Sequence, residues 1–579
     1  MLRLSALLST FLIALTLPAG AQEAPADLVV LNGKILTVDS QFSQAEAAAV
    51  RDGVFVAVGS NADIRRLVGD GTRVIDAQGR TVIPGLIETH VHATGAARRE
   101  ATAPFIQLGS IAEIQEWVGR QAGSQPKGTW IQIPRADVTR IQERRIPTRQ
   151  ELDEAATEHP VVFNWQYANH QIQVLNSAAL AAAGIRGDTP AGERGKIELT
   201  PDGNPTGVLE NASFLVSQFL ERPEASESEY LDSLNRLLRR YNELGITSIF
   251  ERNSNAEGYQ SYERLKAEDR LPVRVTVTIG LRSDGTVEDT ERFIRSLPFS
   301  FGDGDDWLRV GPLKIGVDGG ILYGTAFMRE PYGRDSFELY RISDPEHRGS
   351  LRLSPDQLKN IIGTGHRLGW QMSSHVTGDA GVDAVLDAVE AIHQENPISS
   401  RRYTLIHAYF ANPQAARRAA RLGVCVDTQP AWYYKDGDAL AQALGPARLN
   451  KFIGLAQWRE EGVKVALNSD HMQGFDPDKS LNPYNPFLTL YTAVTRKTEY
   501  GQVLGKDQRI SRPDALRMLT IDAAYLGFDE SRKGSIEVGK LADLALLSDD
   551  LMTCDAEAIK NIRAHTTIVG GRVLYEAGR

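Results

Sequence analysis

Between residues 81 and 470 the chain alternates short apolar runs with longer amphipathic stretches, and this rhythm narrows the choice of fold more than any other feature. Eight runs read as strands: TVIPGLIETH, GITSIFE, VRVTVTIG, LKIGVDG, GWQMSSH, RYTLIH, GVCVDTQ and GVKVALNSD. Strand-like runs separated by helix-length amphipathic segments are the mark of βα units and a parallel sheet. Eight is the number that closes such a sheet, so the expected class is α/β, a (β/α)8 TIM barrel. The alternative is an open doubly wound sheet, which calls for a G-x-G-x-x-G phosphate loop after its first strand; none follows PGLIETHVH. Residues from about 96 to 240 break the rhythm and read as an insertion after strand one, mostly helical, with strand-like pieces at WIQIP and PVVFNWQY.

The two ends of the chain differ from this middle. Residues 27–80 hold short apolar runs punctuated by Asn-Gly, Asp-Gly and Gln-Gly, a hairpin signature that returns in GSIEVGKLADLALLSDD and TTIVGGRVLYEAGR. Each end is too small to bury a core alone, so residues 22–80 and 529–579 are expected to pair as one composite β-sandwich beside a barrel at 81–528. The opening MLRLSALLSTFLIALTLPAGAQ has an arginine, an apolar core and small residues before Gln22. That pattern predicts a signal peptide over residues 1–21 and an exported mature protein, periplasmic or secreted. No later run is apolar enough to span a bilayer, so no membrane attachment is expected after cleavage.

A net charge of -10 argues against nucleic-acid binding, whose footprint is normally basic. The partner expected is a small-molecule substrate, and a homo-oligomer is left open. Cys425 and Cys554 are the only cysteines, which excludes a cysteine metal cluster; they are read as two buried thiols rather than a disulfide.

In a barrel of this kind the active site lies at the carboxyl ends of the strands. Strand one ends in His90 and His92, two residues apart and therefore on one face. Strand four carries Lys314 and Asp318, strand five ends in His375, strand six in His407 and strand eight in Asp470. Each alone has an ordinary explanation as a core histidine, a helix cap or a solvated lysine. Together they form a set of imidazoles and carboxylates suited to zinc or a related divalent ion, and they point to a metal-centred hydrolase.

PGLIETHVHATG, KIGVDGGILYGTAFMREPY, SSHVTGDAGVDAVLDAVE, LIHAYF, ALNSDHM and GSIEVGKLADLALLSDD resemble the amidohydrolase superfamily, and more closely its family-3 branch, which includes N-substituted formamide deformylases. The resemblance covers nearly the whole mature chain, with NHQIQVLNSAAL and NPTGVLENA matching inside the insertion. It implies a barrel with a composite sandwich and one or two divalent metals, Zn2+ being the expected ion. By motif, His90 and His92 would hold a first metal, and His375 and His407 a second or a share of one site. Asp470 would contact the metal and move the proton of the attacking water. Lys314 would either carry an N6-carboxyl group bridging two ions or stay an ammonium that repels metal. His170, in the insertion, would stand beside the substrate and stabilise an oxyanion.

The expected reaction is hydrolysis of a non-peptide C–N bond, an amide or an N-acyl or N-formyl amine; the alternatives are an ester, an imine or aminated ring, or a barrel that binds without catalysis. Glu88 stands where the family has aspartate, and strand eight ends Asn468-Ser469-Asp470-His471 rather than G-S-D-x-P. These departures bear on the substrate more than on the catalysis. Trp432, Tyr433 and Tyr434 follow strand seven, where they would line an apolar pocket or pack in the core.

Overall fold

The structure, a computed structural model, describes residues 24–578 apart from 168–169 and 221–222. The secretion pattern at 1–21 lies outside the described residues. The eight expected strands form one parallel sheet in chain order: β1 (Leu86–Val91), β2 (Ile246–Ser254), β3 (Arg274–Gly280), β4 (Leu308–Gly316), β5 (Met372–Val376), β6 (Thr404–His407), β7 (Cys425–Thr428) and β8 (Val465–Leu467). A parallel bridge between Val91 and His471 brings β1 and the end of β8 together, and the His92 N–H donates to the His471 carbonyl at 2.7 Å. The barrel is thus nearly closed, and its seam lies at the end that carries the histidines.

The helices between strands obey local rules. Glu227–Asn242 starts with a capping box, Ser226 accepting from the Glu229 N–H while Glu229 reaches back. Pro355–Arg367 repeats the device with Ser354 and Gln357, and places proline in its first turn, where no N–H is missed. Both bury their Leu, Ile and Tyr stripe, so 3.6-residue periodicity and capping agree.

The run TVIPGLIETH, expected as one strand, is two. Thr81–Pro84 pairs antiparallel with Leu544–Leu547 in a six-stranded sheet of both chain ends, and β1 begins after Gly85. The division falls at Gly85 because strand β2 passes too close for a side chain: a Cβ there would meet Thr247 Oγ1 at 2.1 Å. A second sheet of four strands from residues 28–76 completes the composite domain. The segment between β1 and β2 contains a five-stranded sheet as well as helices. Ile131–Gln132 and Val161–Tyr167 match the two pieces foreseen, but His170–Leu175, Lys196–Leu199 and Pro205–Glu210 join them. Lys196–Leu199 alternates but spans only four residues, and Pro205–Glu210 opens with Pro-Thr-Gly, a turn-like start that hides the strand.

Cys425 lies buried in β7 and Cys554 is half-buried in the C-terminal segment; both thiols are free. Among the described residues no helix is long and apolar enough to cross a membrane.

Candidate metal centre

The site assembles where the strands stop. His90 is the penultimate residue of β1, fully buried, and His92 stands at the N-cap of the helix Ala93–Thr102. Glu251 of β2 caps that helix from the neighbouring strand, accepting from the N–H groups of Ala93 at 2.8 Å and Thr94 at 3.3 Å. A carboxylate suits the positive end of a helix, so Glu251 pins the turn that aims His92. Asp470 follows β8 in the left-handed region, φ 53°, a conformation aspartate tolerates better than most residues. Asn482 holds its carbonyl with a 2.6 Å bond.

These turns bring three ligand atoms together. His90 Nε2 and His92 Nε2 each lie 3.3 Å from Asp470 Oδ1, and one ligand atom from each residue fits within 4.8 Å of the other two. Asp470 Oδ1 is buried and has no hydrogen-bond partner among the described residues. Lys314 Nζ approaches His90 Nε2 at 3.2 Å. His375 and His407 face each other alongside, Nδ1 to Nε2 at 2.9 Å, and the His90 and His407 ring centroids are 5.5 Å apart. An orphaned carboxylate oxygen among converging imidazole nitrogens is the donor set of a divalent metal, so the residues fit the ion.

Electrostatics agree with that reading. Burial, reinforced by the Lys314 charge, holds His90 well below its ordinary value, and burial carries His407 down to about 4. Neutral imidazole is the ligand form. Burial also brings Lys314 down to about 8, against the opposing pull of Asp470. For Asp470 burial works upward, but His92, His407 and Lys314 outweigh it and hold the carboxyl below the usual range. Glu88, whose Oε1 accepts from the N–H groups of His90 at 3.3 Å and Ser469 at 3.1 Å, ties the ends of β1 and β8 together, and burial lifts it to about 8.

His90, His92, Lys314, His375, His407 and Asp470 all line one cavity of about 290 Å³. His170 does not: it stands one layer behind the wall, its ring 5.8 Å from that of Trp165, which stacks on the cavity-lining Tyr323. Asp318 is also absent from the lining. It lies beyond the end of β4 and accepts the N–H groups of Thr377 at 2.9 Å, Gly378 at 2.8 Å and Phe327 at 3.0 Å, a staple for the loops around the mouth. Trp432 lines the cavity, whereas Tyr433 is buried behind it and donates to the Arg496 carbonyl at 2.9 Å.

Sequence reasoning missed Arg135, Asp137, Tyr323 and Arg352, which also line the cavity. Arg135 donates to the Tyr323 hydroxyl at 2.7 Å, and that hydroxyl donates to Asp137 Oδ1 at 2.7 Å. All four come from the insertion or from the long loop after β4, where no periodicity marks a position. The one available signal was charge and aromaticity in an insertion placed over a barrel mouth.

Residues 73–575 match the sequence profile of the amidohydrolase family. The chain is 28% identical to an N-substituted formamide deformylase of Arthrobacter pascens, over 95% of this chain and 98% of the relative. It is also 28% identical to the protein LONG AFTER FAR-RED 3 of Arabidopsis thaliana, over 97% and 93%. Among solved structures, an uncharacterized metal-dependent hydrolase from Pyrococcus horikoshii superposes with a TM-score of 0.65 at 20% identity, covering 92% of this chain and 99% of that one.

Proposed function

The chain belongs to the amidohydrolase family, and from that premise we propose that it hydrolyses a non-peptide C–N bond, an amide or an N-acyl or N-formyl amine, in a small molecule. The observation that carries the reading is the buried, unpartnered Asp470 Oδ1 held 3.3 Å from two imidazole nitrogens at the floor of a substrate-sized cavity. The full-length similarity to a formamide deformylase supports the choice of bond. His90, His92, His375, His407 and Asp470 would hold one or two divalent ions, and the nitrogen-rich donor set favours Zn2+. When bound, such an ion polarises a carbonyl and makes water a nucleophile near neutral pH.

The chain's own residues do the rest. Asp470 takes the proton of the attacking water and returns it to the leaving nitrogen, the double role of a general base turned acid. Lys314, buried and lowered to about 8, has an amine free enough of its proton to add to carbon dioxide, forming a carbamate and releasing one proton. Arg135, Tyr323 and Trp432, which line the cavity, orient the substrate. His170 supports Trp165 and Tyr323 from behind instead of touching the substrate. On the N-terminal pattern, we place the mature enzyme outside the cytoplasm.

The test is metal analysis of the purified mature protein coupled to hydrolysis of a panel of N-formyl amines, N-acyl amines and esters. Bound zinc with turnover of the C–N substrates is expected. A metal-free protein with no turnover would sink the reading, and turnover of esters alone would overturn the choice of bond.

A further inference from the structure

Beneath the metal centre lies a closed network of buried polar groups that touches no substrate. Arg252 of β2, 1% exposed, donates from Nη2 to Asp427 Oδ2 of β7 at 2.8 Å and from Nε to the Thr89 carbonyl at 2.8 Å. Asn468 donates from Nδ2 to the other oxygen, Asp427 Oδ1. Gln429 donates from Nε2 to Asn468 Oδ1 at 2.8 Å, and Gln429 Oε1 stands 2.8 Å from His407 Nδ1. Asp427, Asn468 and Gln429 are all buried.

Each group leaves the next one choice. Arginine does not give up its proton in proteins, and a carboxylate paired with it only accepts. Asn468 must therefore turn its NH2 toward Asp427 and its oxygen away. That oxygen can only accept, so Gln429 must face it with NH2 and present its own oxygen to His407. A carbonyl oxygen cannot donate, so the proton sits on His407 Nδ1 and Nε2 is left with its lone pair. His375 stands beside it, with Nδ1 2.9 Å from His407 Nε2 and Nε2 3.2 Å from the Gly319 carbonyl.

We infer that Arg252, Asp427, Asn468 and Gln429 form a positioning relay that locks His407 in the Nδ1–H tautomer and so keeps Nε2 open to metal. The inference rests on the metal-site reading above. A competitor makes the lock necessary. The Tyr409 hydroxyl lies 3.1 Å from both Gln429 Oε1 and His407 Nδ1. With Gln429 in place the hydroxyl has an oxygen to donate to. Without it, the hydroxyl is a donor 3.1 Å from Nδ1 that favours the proton on Nε2, the coordinating atom.

The experiment measures zinc affinity by competition against a chromophoric chelator, with nitrogen NMR of histidine-labelled apoprotein reading the tautomer. Gln429→Leu is expected to weaken zinc about 10- to 100-fold, the usual loss when the partner of a ligating histidine is removed. It also converts one histidine from the Nδ1–H to the Nε2–H signature. Adding Tyr409→Phe removes the competing donor and is expected to restore much of the affinity, which a merely structural defect would not do. If Gln429→Leu is insoluble, Gln429→Met fills a similar volume and carries the same expectations. Wild-type affinity in the single variant, or a double variant no tighter than the single, overturns the relay. Absence of zinc binding by the wild type would instead overturn the metal reading itself, so the two failures are distinct.

Discussion

Asp470→Asn keeps the shape of the side chain and the turn it stands in, and removes its basicity and its charge. The backbone at 470 has φ 53°, where asparagine is tolerated and alanine is strained, so the amide leaves the turn after β8 in place. The 2.6 Å bond from Asn482 goes to the main-chain carbonyl and survives. The shape of the side chain is kept, so its ordering contributes nothing to the difference. What disappears is a base, together with one negative charge of the donor set, which is why bound metal is counted beside the rate. A positioned general base is worth about 100- to 10,000-fold in rate, which at about 1.36 kcal/mol per tenfold is roughly 2.7 to 5.4 kcal/mol of barrier. The assay is kcat on the best C–N substrate, with bound metal counted by mass spectrometry on the same preparation and Tm recorded. The expectation is kcat down about 100-fold or more, with metal retained and Tm little changed. A kcat within tenfold of wild type, with metal retained, would refute Asp470 as the proton carrier.

Chelation of the wild type should abolish hydrolysis and lower Tm together, because an ion held at 100 times its Kd contributes about 2.7 kcal/mol to stability; activity that survives complete metal removal contradicts the centre. Gly85→Ala should lower Tm by about 1 to 3 °C, since the new Cβ would meet Thr247 and overpacking of a core costs about 1 to 3 kcal/mol; an unchanged Tm in a thermal melt would show that β1 and β2 can part there at no cost. Lys34 bonds Asp550 at 2.7 Å across the two chain ends. Burial works upward on Asp550, but Lys34 and Thr553 outweigh it and lower the carboxyl to about 2. A depressed carboxyl stabilises the fold above its unfolded pKa and loses that contribution as pH falls from about 4 through about 2. Lys34→Met should therefore cost about 0.5 to 1 kcal/mol at pH 6, with the Tm gap to wild type closing in the acid range; a gap independent of pH would mean that the pair contributes nothing.

Barrel strands and metal-type residues were legible in sequence for the same reason: both are periodic. Runs such as ITSIFE and RVTVTIG are rich in apolar and β-branched residues and buried on both faces, and where a run ends in a histidine or carboxylate that residue marks the barrel mouth. His90, His375 and His407 followed from that rule alone. Asp318 shows its limit: past β4 the chain turns so that this carboxylate accepts from the Thr377 and Gly378 N–H groups, and the same polar signal served a loop staple. Arg135 and Tyr323 were invisible because their partners are in contact across 188 residues of sequence, a pairing that no local pattern encodes. The relay below His407 was hidden differently. Thr89, Arg252, Asp427 and Asn468 all sit in or beside strands where apolar residues are expected, and a buried polar group reveals its purpose only when its partners are known.

The union of Thr81–Pro84 with Leu544–Leu547 has a temporal meaning. During synthesis β1 emerges early, but the strand it continues from has its antiparallel partner more than four hundred residues later, and the Gly85 N–H waits for the Asp543 carbonyl at 2.9 Å. Contacts so distant in sequence form late. A chain that stops short of residue 543 therefore carries every candidate ligand and the β2 strand beside His90, but lacks the antiparallel strand that anchors the start of β1.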